Sequence, residues 1–203
     1  MNVDVLIFDG FDELDAIGPY EVLQNAKDFG ADIAVRLVTL GNRTEVTASH
    51  GLCVKPHGVL ETARALDLLV VPGGGWGNKA DRGAWAEVQK GEIPKVIALL
   101  HEQGTLVASV CTGAMLVAHA GLMKGRPAIT HAVALADLQA IGADVKEARV
   151  VDDGDIISAG GVTSGIDLAL WLVERFFGAE MLAEVEVELE YKRQGMVWRH
   201  AET

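Results

Sequence analysis

Residues 105–118, which read TLVASVCTGAMLVA, predict the centre of the fold. Residues 106–110 form an apolar run typical of a buried strand, and the apolar stretch after Gly113 is typical of a helix. Cys111 therefore lies on a sharp turn between the two, where the small residues Gly113 and Ala114 leave room. The positive end of the helix dipole favours a thiolate there, so we interpret Cys111 as a nucleophile. A buried structural thiol is the alternative.

A glycine-rich stretch predicts the other side of the same site. Residues 72–77, PGGGWG, follow another apolar strand and lack the lysine and hydroxyl residue of a phosphate-binding loop. The backbone N–H of Thr112 points to where an anion would form beside Cys111. Because glycines allow close backbone approach, we expect Gly74, or its neighbour Gly75, to supply the second donor of an oxyanion hole. Trp76 is either a pocket wall or an ordinary packed aromatic.

Composition limits the classes of function. The chain has 203 residues, half of them hydrophobic, which suits a single compact domain over residues 1–203. Its formal net charge of −12 argues against nucleic-acid binding, which needs a basic face. Two cysteines make neither a disulfide framework nor a metal cluster, and we expect no metal and no cofactor. The N-terminus lacks a cleavable signal and no apolar run has membrane-spanning length, so we expect a cytoplasmic protein with no membrane partner.

Strand and helix patterns alternate through most of the chain. The apolar strands carry few polar residues, as in a parallel sheet covered on both faces, so we predict a three-layer, doubly wound α/β fold. Loops at the carboxyl edge of such a sheet form the active site. The predicted strands of the sheet cover residues 3–8, 33–40, 66–71 and 105–110, with hairpins at 45–56 and 149–158; the principal helices cover 95–102, 114–120, 133–141, 166–177 and 181–191.

Local patterns also predict the positions of Asp15, Cys53 and His131. Pro19 is typical of a first helical turn, so we predict a helix from Pro19 to about Lys27 and place Asp15 in the loop before it. Cys53 has no helix start after it, and we interpret it as a small packed residue. His131 is the last residue of a short predicted strand at residues 128–131.

Five segments together resemble the ThiJ/PfpI superfamily, which has a flavodoxin-like, class I glutamine amidotransferase-like fold. Within it, the chain is most similar to the isonitrile hydratases, including the late segment VELEY at residues 187–191. The pairing of Leu-Asp-x-x-Gly-Pro with Ser-Val-Cys-Thr-Gly is more specific than the cysteine elbow alone. The segments are LDAIGPYEVL (14–23), VPGG (71–74), SVCTG (109–113), ITH (129–131) and AGGVTSGID (159–167).

The resemblance implies roles for three residues and an assembly state. Cys111 would be the nucleophile, Asp15 the general acid and base, and Thr112 an orienting and oxyanion-hole residue. It also implies a homodimer, with residues 18–19 at an edge of the interface. Transcriptional regulators of the same branch carry a C-terminal pair of DNA-binding helices. Because this chain stops at Thr203 and is acidic, we expect no such function.

These roles predict hydration of an isonitrile to an N-substituted formamide. Cys111 would add to the isonitrile carbon to give a thioimidate, and Asp15 would deliver a proton and later activate water. The expected pocket residues are Gly75, Trp76, His131 and Gly161, with His131 as the competing base. In the proteins that the chain resembles, an aromatic residue usually follows this histidine, whereas here Ala132 follows His131. The identity of the substrate is therefore left open. Alternatives are a glyoxalase-like activity, a redox or stress sensor in which Cys111 is oxidised, and a non-enzymatic binding domain.

Overall fold

The computed structural model describes residues 1–199 and contains a central sheet flanked by helices. The strands are β1 Asn2–Leu6, β2 Ala34–Thr39, β3 Val46–Thr47, β4 Cys53–Val54, β5 Gly58–Val59, β6 Leu68–Val71, β7 Leu106–Val110, β8 Pro127–Ala128, β9 Asp144–Val145, β10 Val150–Asp152, β11 Ile156–Ala159 and β12 Val197–Arg199. The helices are α1 Glu13–Asp28, α2 Ala84–Lys90, α3 Glu92–Glu102, α4 Gly113–His119, α5 Leu135–Ile141 and α6 Ser164–Glu188, with a 3₁₀ turn at Ala132–Ala134.

Strand β7 lies inside the eight-stranded sheet, whose order is β12-β10-β11-β7-β6-β1-β2-β5. It pairs in parallel with β6 and β11, whereas β10 runs antiparallel to β11. Residues 107–110 of β7 are fully buried because helices cover this part of the sheet, with α3, α4 and α6 in contact with β7. The predicted mostly parallel, flavodoxin-like architecture is confirmed, and it places the end of β7 at the carboxyl edge of the sheet.

Helix α1 begins earlier than the sequence predicts. Asp12 is its N-cap, with a side chain that accepts the N–H of Leu14, so Asp15 lies in the first helical turn and not in a preceding loop. Pro19 lies inside the helix, where its missing N–H leaves the carbonyl of Asp15 without its helical donor. The cap therefore decides the start of α1, whereas the proline is tolerated within it.

One other expectation is wrong in this structure. Cys53 is exposed and not packed, and it lies in the β3–β4 hairpin, outside the central sheet. Residues 18–19 are buried within a single chain, with Gly18 close to Ile166 and Pro19 close to Gly165 of α6. They form a helix–helix contact inside the chain, and Gly18 also lines an apolar groove between α1 and α6, so their place at a dimer interface stays a prediction.

The last long helix also differs from its prediction. The stretches expected as two helices, 166–177 and 181–191, form the single element α6, which is interrupted by non-helical backbone at Gly178. Within residues 1–199, none of the helices combines the length and the apolar character needed to cross a membrane.

Candidate active site

The turn at Cys111 is strained and held from both sides. Cys111 has φ 56°, a left-handed conformation that is uncommon outside glycine. Its N–H donates to the carbonyl of Gly160 at 2.9 Å, and its carbonyl accepts the hydroxyl of Thr130 at 2.8 Å. A Cβ at Gly113 would lie 2.1 Å from the carbonyl oxygen of Val71, so only glycine fits there. The expected elbow between β7 and α4 is therefore present.

Three successive glycines of the loop after β6 have different backbone roles. The N–H of Gly73 donates to Asp15 Oδ2 at 3.0 Å, and the N–H of Gly74 donates to Thr112 Oγ1 at 2.9 Å. The N–H of Gly75 has no acceptor among residues 1–199, and Gly75 lines the pocket that contains Cys111. Gly75, and not Gly74, therefore offers a free donor to that pocket.

Asp15 is a buried carboxyl group with one unpaired oxygen. Its side chain is inaccessible to solvent, and Oδ1 has no hydrogen-bond partner among the described residues. Burial, and next the charge of Asp12, raise the pKa of Asp15 to about 8, although its contacts with Gly73 and Cys111 oppose the rise. Because Oδ2 already accepts an N–H, Oδ1 is the oxygen that would carry the proton.

The thiol of Cys111 does not have the lowered pKa expected from the helix dipole. Cys111 is only 6% exposed, and burial, followed by the charge of Asp15, raises its pKa to about 12. The backbone N–H groups of Val162 and Thr112 face the sulfur and favour the thiolate, but desolvation outweighs them. Part of the rise depends on a charged Asp15, and that repulsion disappears when Asp15 holds a proton.

The loop before α6 closes the site from the other side. Val162 has φ 37°, an outlier for a β-branched residue, and its backbone N–H is one of the groups that oppose the rise in the pKa of Cys111. Gly161 lies directly against the ring of His131, since a Cβ there would be 2.4 Å from His131 Cδ2. Strand β8 ends at Ala128, so His131 instead caps the 3₁₀ turn. Its Nδ1 accepts the N–H of Val133 at 3.1 Å, which leaves Nε2 as the N–H nitrogen.

A pocket of about 430 Å³ opens above the nucleophile. Trp76 lines it and is also packed, because its indole N–H donates to Asp137 Oδ2 at 2.7 Å and its ring meets Trp85 edge-on. Trp76 is therefore both a wall of the pocket and a packed aromatic residue. The pocket brings together the predicted site residues Cys111, Thr112, Gly74, Gly75, Trp76 and His131, whereas Asp15 lies beneath it.

One group of acidic and imidazole side chains clusters beside the pocket, with polar atoms of Asp12, Glu13 and His50 within 4.8 Å of one another. Hydrogen bonds already occupy these groups: both carboxylate oxygens of Glu13 bond His50, and Asp12 accepts the N–H of Leu14. The cluster is therefore held together by its own hydrogen bonds.

Sequence reasoning did not anticipate Val162, Glu13 or His50 at this site. The glycine-rich motif at 159–167 contains Val162, but a backbone N–H leaves no residue-type signal. Glu13 and His50 are 37 positions apart, and only the position of the β3–β4 hairpin beside α1 brings them together.

A mostly parallel α/β sheet with a cysteine elbow at its carboxyl edge defines this protein's class. The chain belongs to the DJ-1/PfpI family, which matches residues 1–175. It is 34% identical over 191 residues to an isonitrile hydratase of Pseudomonas putida, covering 94% of this chain and 78% of that one. It is 31% identical to the Parkinson disease protein 7 homolog of Danio rerio, covering 93% and 96%. A ThiJ/PfpI family crystal structure from Pseudomonas syringae has a TM-score of 0.82 at 26% identity, covering 95% of this chain and 76% of that one.

Proposed function

We propose that the protein is an isonitrile hydratase-like hydro-lyase that converts an isonitrile to an N-substituted formamide. The observation that carries the proposal is the buried pair of Asp15 and Cys111, in which a carboxyl group of raised pKa adjoins the only thiol in the pocket formed by the described residues. The similarity to the isonitrile hydratase of Pseudomonas putida supports the choice of substrate class. No cofactor takes part in this proposal.

In the first step, the Cys111 sulfur bonds to the isonitrile carbon. That carbon needs a proton as it becomes an imidate carbon, and Asp15 takes the proton of the Cys111 thiol and delivers it from Oδ1. The product is a thioimidate, R–N=CH–S–Cys111, beside an ionised Asp15. The pair is suited to this exchange because burial disfavours charge on both groups, so the proton passes between them at little cost.

In the second step, water attacks the thioimidate carbon and gives up a proton to Asp15. The second proton of that water passes from the hydroxyl group of the adduct to the nitrogen. The carbon–sulfur bond then breaks, and the formamide R–NH–CHO leaves while Cys111 recovers its proton from Asp15. The N–H groups of Gly75 and Thr112 would stabilise charge at the oxygen that water brings in. We assign the first of these donors to Gly75, since the N–H of Gly74 is already bonded to Thr112.

The test incubates the purified protein with an alkyl isonitrile and, separately, with methylglyoxal. Formamide production by the wild type and its loss in Cys111→Ala are expected. A hydroxyacid product in the absence of formamide would point to the glyoxalase-like alternative. Intact-mass spectrometry after rapid quenching would detect the thioimidate as an adduct on Cys111.

Redox sensing is the second candidate function. Relatives of the chain include proteins named DJ-1, such as DJ-1alpha of Drosophila melanogaster at 28% identity. The N–H groups of Thr112 and Val162, which face the Cys111 sulfur, would also stabilise the oxygens of a sulfinate. Mild peroxide followed by peptide mass spectrometry tests it: oxidation of Cys111 without isonitrile turnover would favour the sensor.

We also propose a cytoplasmic homodimer. An apolar groove beside α1 and α6, bordered by Leu14, Ile17, Ile166 and Leu189, is a surface that a second copy would cover. Sedimentation at micromolar concentration is the check, and a monomer there would contradict the assembly.

A further inference from the structure

Glu13 holds His50 in one orientation at the mouth of the pocket. Glu13 Oε1 accepts the backbone N–H of His50 at 2.7 Å, and Oε2 lies 2.6 Å from His50 Nδ1. The hydroxyl of Ser49 donates to the same Oε2 at 3.0 Å. Burial alone would raise the pKa of Glu13, but these hydrogen bonds, led by that of His50, lower it to about 2. Glu13 is therefore ionised at neutral pH, and His50 Nδ1 must be the donor between them.

This arrangement leaves Nε2 as the reactive nitrogen of His50. A carboxylate that fixes Nδ1–H of a histidine, with Nε2 free to exchange protons, is the geometry that makes histidine an acid–base group. The side chain of His50 is 78% exposed, and His50 lines the same pocket as Cys111. The ring is thus oriented without being enclosed.

We propose that His50, oriented by Glu13, is a second acid–base group of the Cys111 pocket and transfers protons at the substrate nitrogen and oxygen while the thioimidate is hydrolysed. The inference rests on the proposed isonitrile hydratase function and adds to it a residue that Asp15 cannot replace. Asp15 lies beneath the sulfur, whereas the nitrogen of a bound isonitrile lies further along the linear group, towards the mouth.

The proton transfers balance with two acid–base groups. Ionised Asp15 removes a proton from the attacking water, and the imidazolium of His50 gives one to the nitrogen, which yields R–NH–CH(OH)–S–Cys111. Neutral His50 then takes the hydroxyl proton as the carbonyl forms. The carbon–sulfur bond breaks, and the departing sulfur takes the proton from Asp15. The cycle ends with His50 protonated, Asp15 ionised and Cys111 as a thiol, so no further reactant is needed.

The charges around His50 support its protonated form. Glu13 and, more weakly, Asp12 at the start of α1 raise the pKa of His50. The hollow beside the ring is completed by the apolar residues Leu14, Leu52 and Val162. The other charged or titratable groups that border the main pocket are Asp81, Arg82 and His131.

A purely structural role is the alternative, in which Glu13 and His50 only tie the hairpin turn to α1. Three variants separate the two roles. His50→Asn keeps a side-chain N–H close to the position of Nδ1, and so the bond to Glu13, but it has no counterpart of Nε2. Glu13→Gln removes the charge that orients and protonates His50. Ser49→Ala is the comparison variant, since it removes one hydrogen bond to Glu13 and one contact with His50 Nδ1 but keeps the Glu13–His50 bond and the imidazole.

The experiment measures kcat across pH, with intact-mass spectrometry of the quenched enzyme, using an alkyl isonitrile as the probe. We expect His50→Asn to lower kcat by about 10²-fold, to lose the alkaline decline that deprotonation of His50 causes in the wild type, and to accumulate the Cys111 thioimidate. Glu13→Gln should move that decline to lower pH, and Ser49→Ala should keep the decline and lose much less kcat than His50→Asn.

Two results would overturn the inference while leaving the proposed function intact. One is a His50→Asn enzyme with the wild-type kcat and pH profile. The other is an equal loss in Ser49→Ala, which would show that the turn acts only as a structural tie. If the wild type produces neither formamide nor an adduct, the proposed function fails, and the role of His50 fails with it.

Discussion

The hydroxyl of Thr112 accepts the backbone N–H of Gly74 at 2.9 Å, so the residue after the nucleophile also fixes the glycine loop opposite it. Thr112→Val would leave this buried N–H without an acceptor, at a cost of about 1–3 kcal/mol in the free energy of unfolding. We expect turnover to fall about 10- to 100-fold as Gly75 shifts, while Cys111 stays chemically competent. Denaturant unfolding and kcat measure the two effects.

Thr112→Ser is the control for that prediction. Serine keeps the hydroxyl acceptor, so both the stability and the turnover should stay close to those of the wild type. A loss in the serine variant equal to that in the valine variant would show that the hydrogen bond does not account for the effect, because serine keeps the hydroxyl.

Cys111→Ala should abolish turnover, by a factor of at least about 10³, because it removes the atom that forms the covalent intermediate. The change deletes one buried atom at a position where φ is already positive, so a similar circular dichroism spectrum is expected. Residual turnover near the wild-type rate would eliminate the covalent mechanism.

The pH dependence of Cys111 alkylation should follow the ionisation of the neighbouring Asp15 carboxyl group. The pKa of Asp15 is raised to about 8, so the pair loses its first proton there, and the remaining proton can lie on Asp15 while the sulfur reacts. We expect the alkylation rate to rise through about pH 8. Asp15→Asn and Asp15→Leu should each move the rise to higher pH, with the larger shift for leucine, which cannot donate to the sulfur.

This measurement needs two precautions. Cys53 is exposed and would react with the same reagent, so the experiment uses Cys53→Ser throughout. Glu21→Gln is the matched control, because Glu21 is an exposed residue of α1 that hydrogen-bonds Asn25. A profile that shifts in Glu21→Gln and not in Asp15→Leu would mean that we have assigned the wrong carboxyl group.

Asp15 should also make the folded protein less stable as pH rises. In the unfolded chain Asp15 ionises near its ordinary value of 3.8, whereas in the folded protein it holds its proton to about 8. Between these values the folded state binds the extra proton, so the free energy of unfolding falls by up to about 1.4 kcal/mol per pH unit.

Asp15→Asn removes this dependence and is therefore expected to be the more stable protein at pH 7. The difference from the wild type should shrink towards pH 4, where the unfolded chain also begins to hold the proton on Asp15. Thermal unfolding of the two proteins at pH 4, 5.5 and 7 is the measurement, and a difference that stays constant across these values would contradict the raised pKa.

Local patterns predicted the sheet and the elbow because their signals lie within a few residues. The apolar run before Cys111 and the small residues after it are enough to place β7 and α4. The hairpin of β10 and β11 is likewise predicted by the turn at residues 152–154, which lies between two apolar segments. In such segments the burial pattern and the local turn chemistry agree.

Long-range contacts explain what the sequence did not predict. Strand β12 exists because Val197 pairs with Val150, and three residues that pair across the fold give no local periodicity. Helix α2 is short and begins after a glycine without a side-chain cap. The raised pKa values of Asp15 and Cys111 follow from burial, which overrides the helix dipole that the sequence suggested.

The break at Gly178, with φ 89° and ψ 171°, divides α6 into two cooperative units. The first half contributes a continuous buried stretch, residues 167–173, to the core, whereas Val185 is the buried residue of the second half. Amide hydrogens of the first half should therefore exchange with solvent only in rare, large openings, and those of the second half through frequent local ones. If the two halves open independently, local unfolding near Glu188 leaves the position of residues 160–163 relative to Cys111 unchanged.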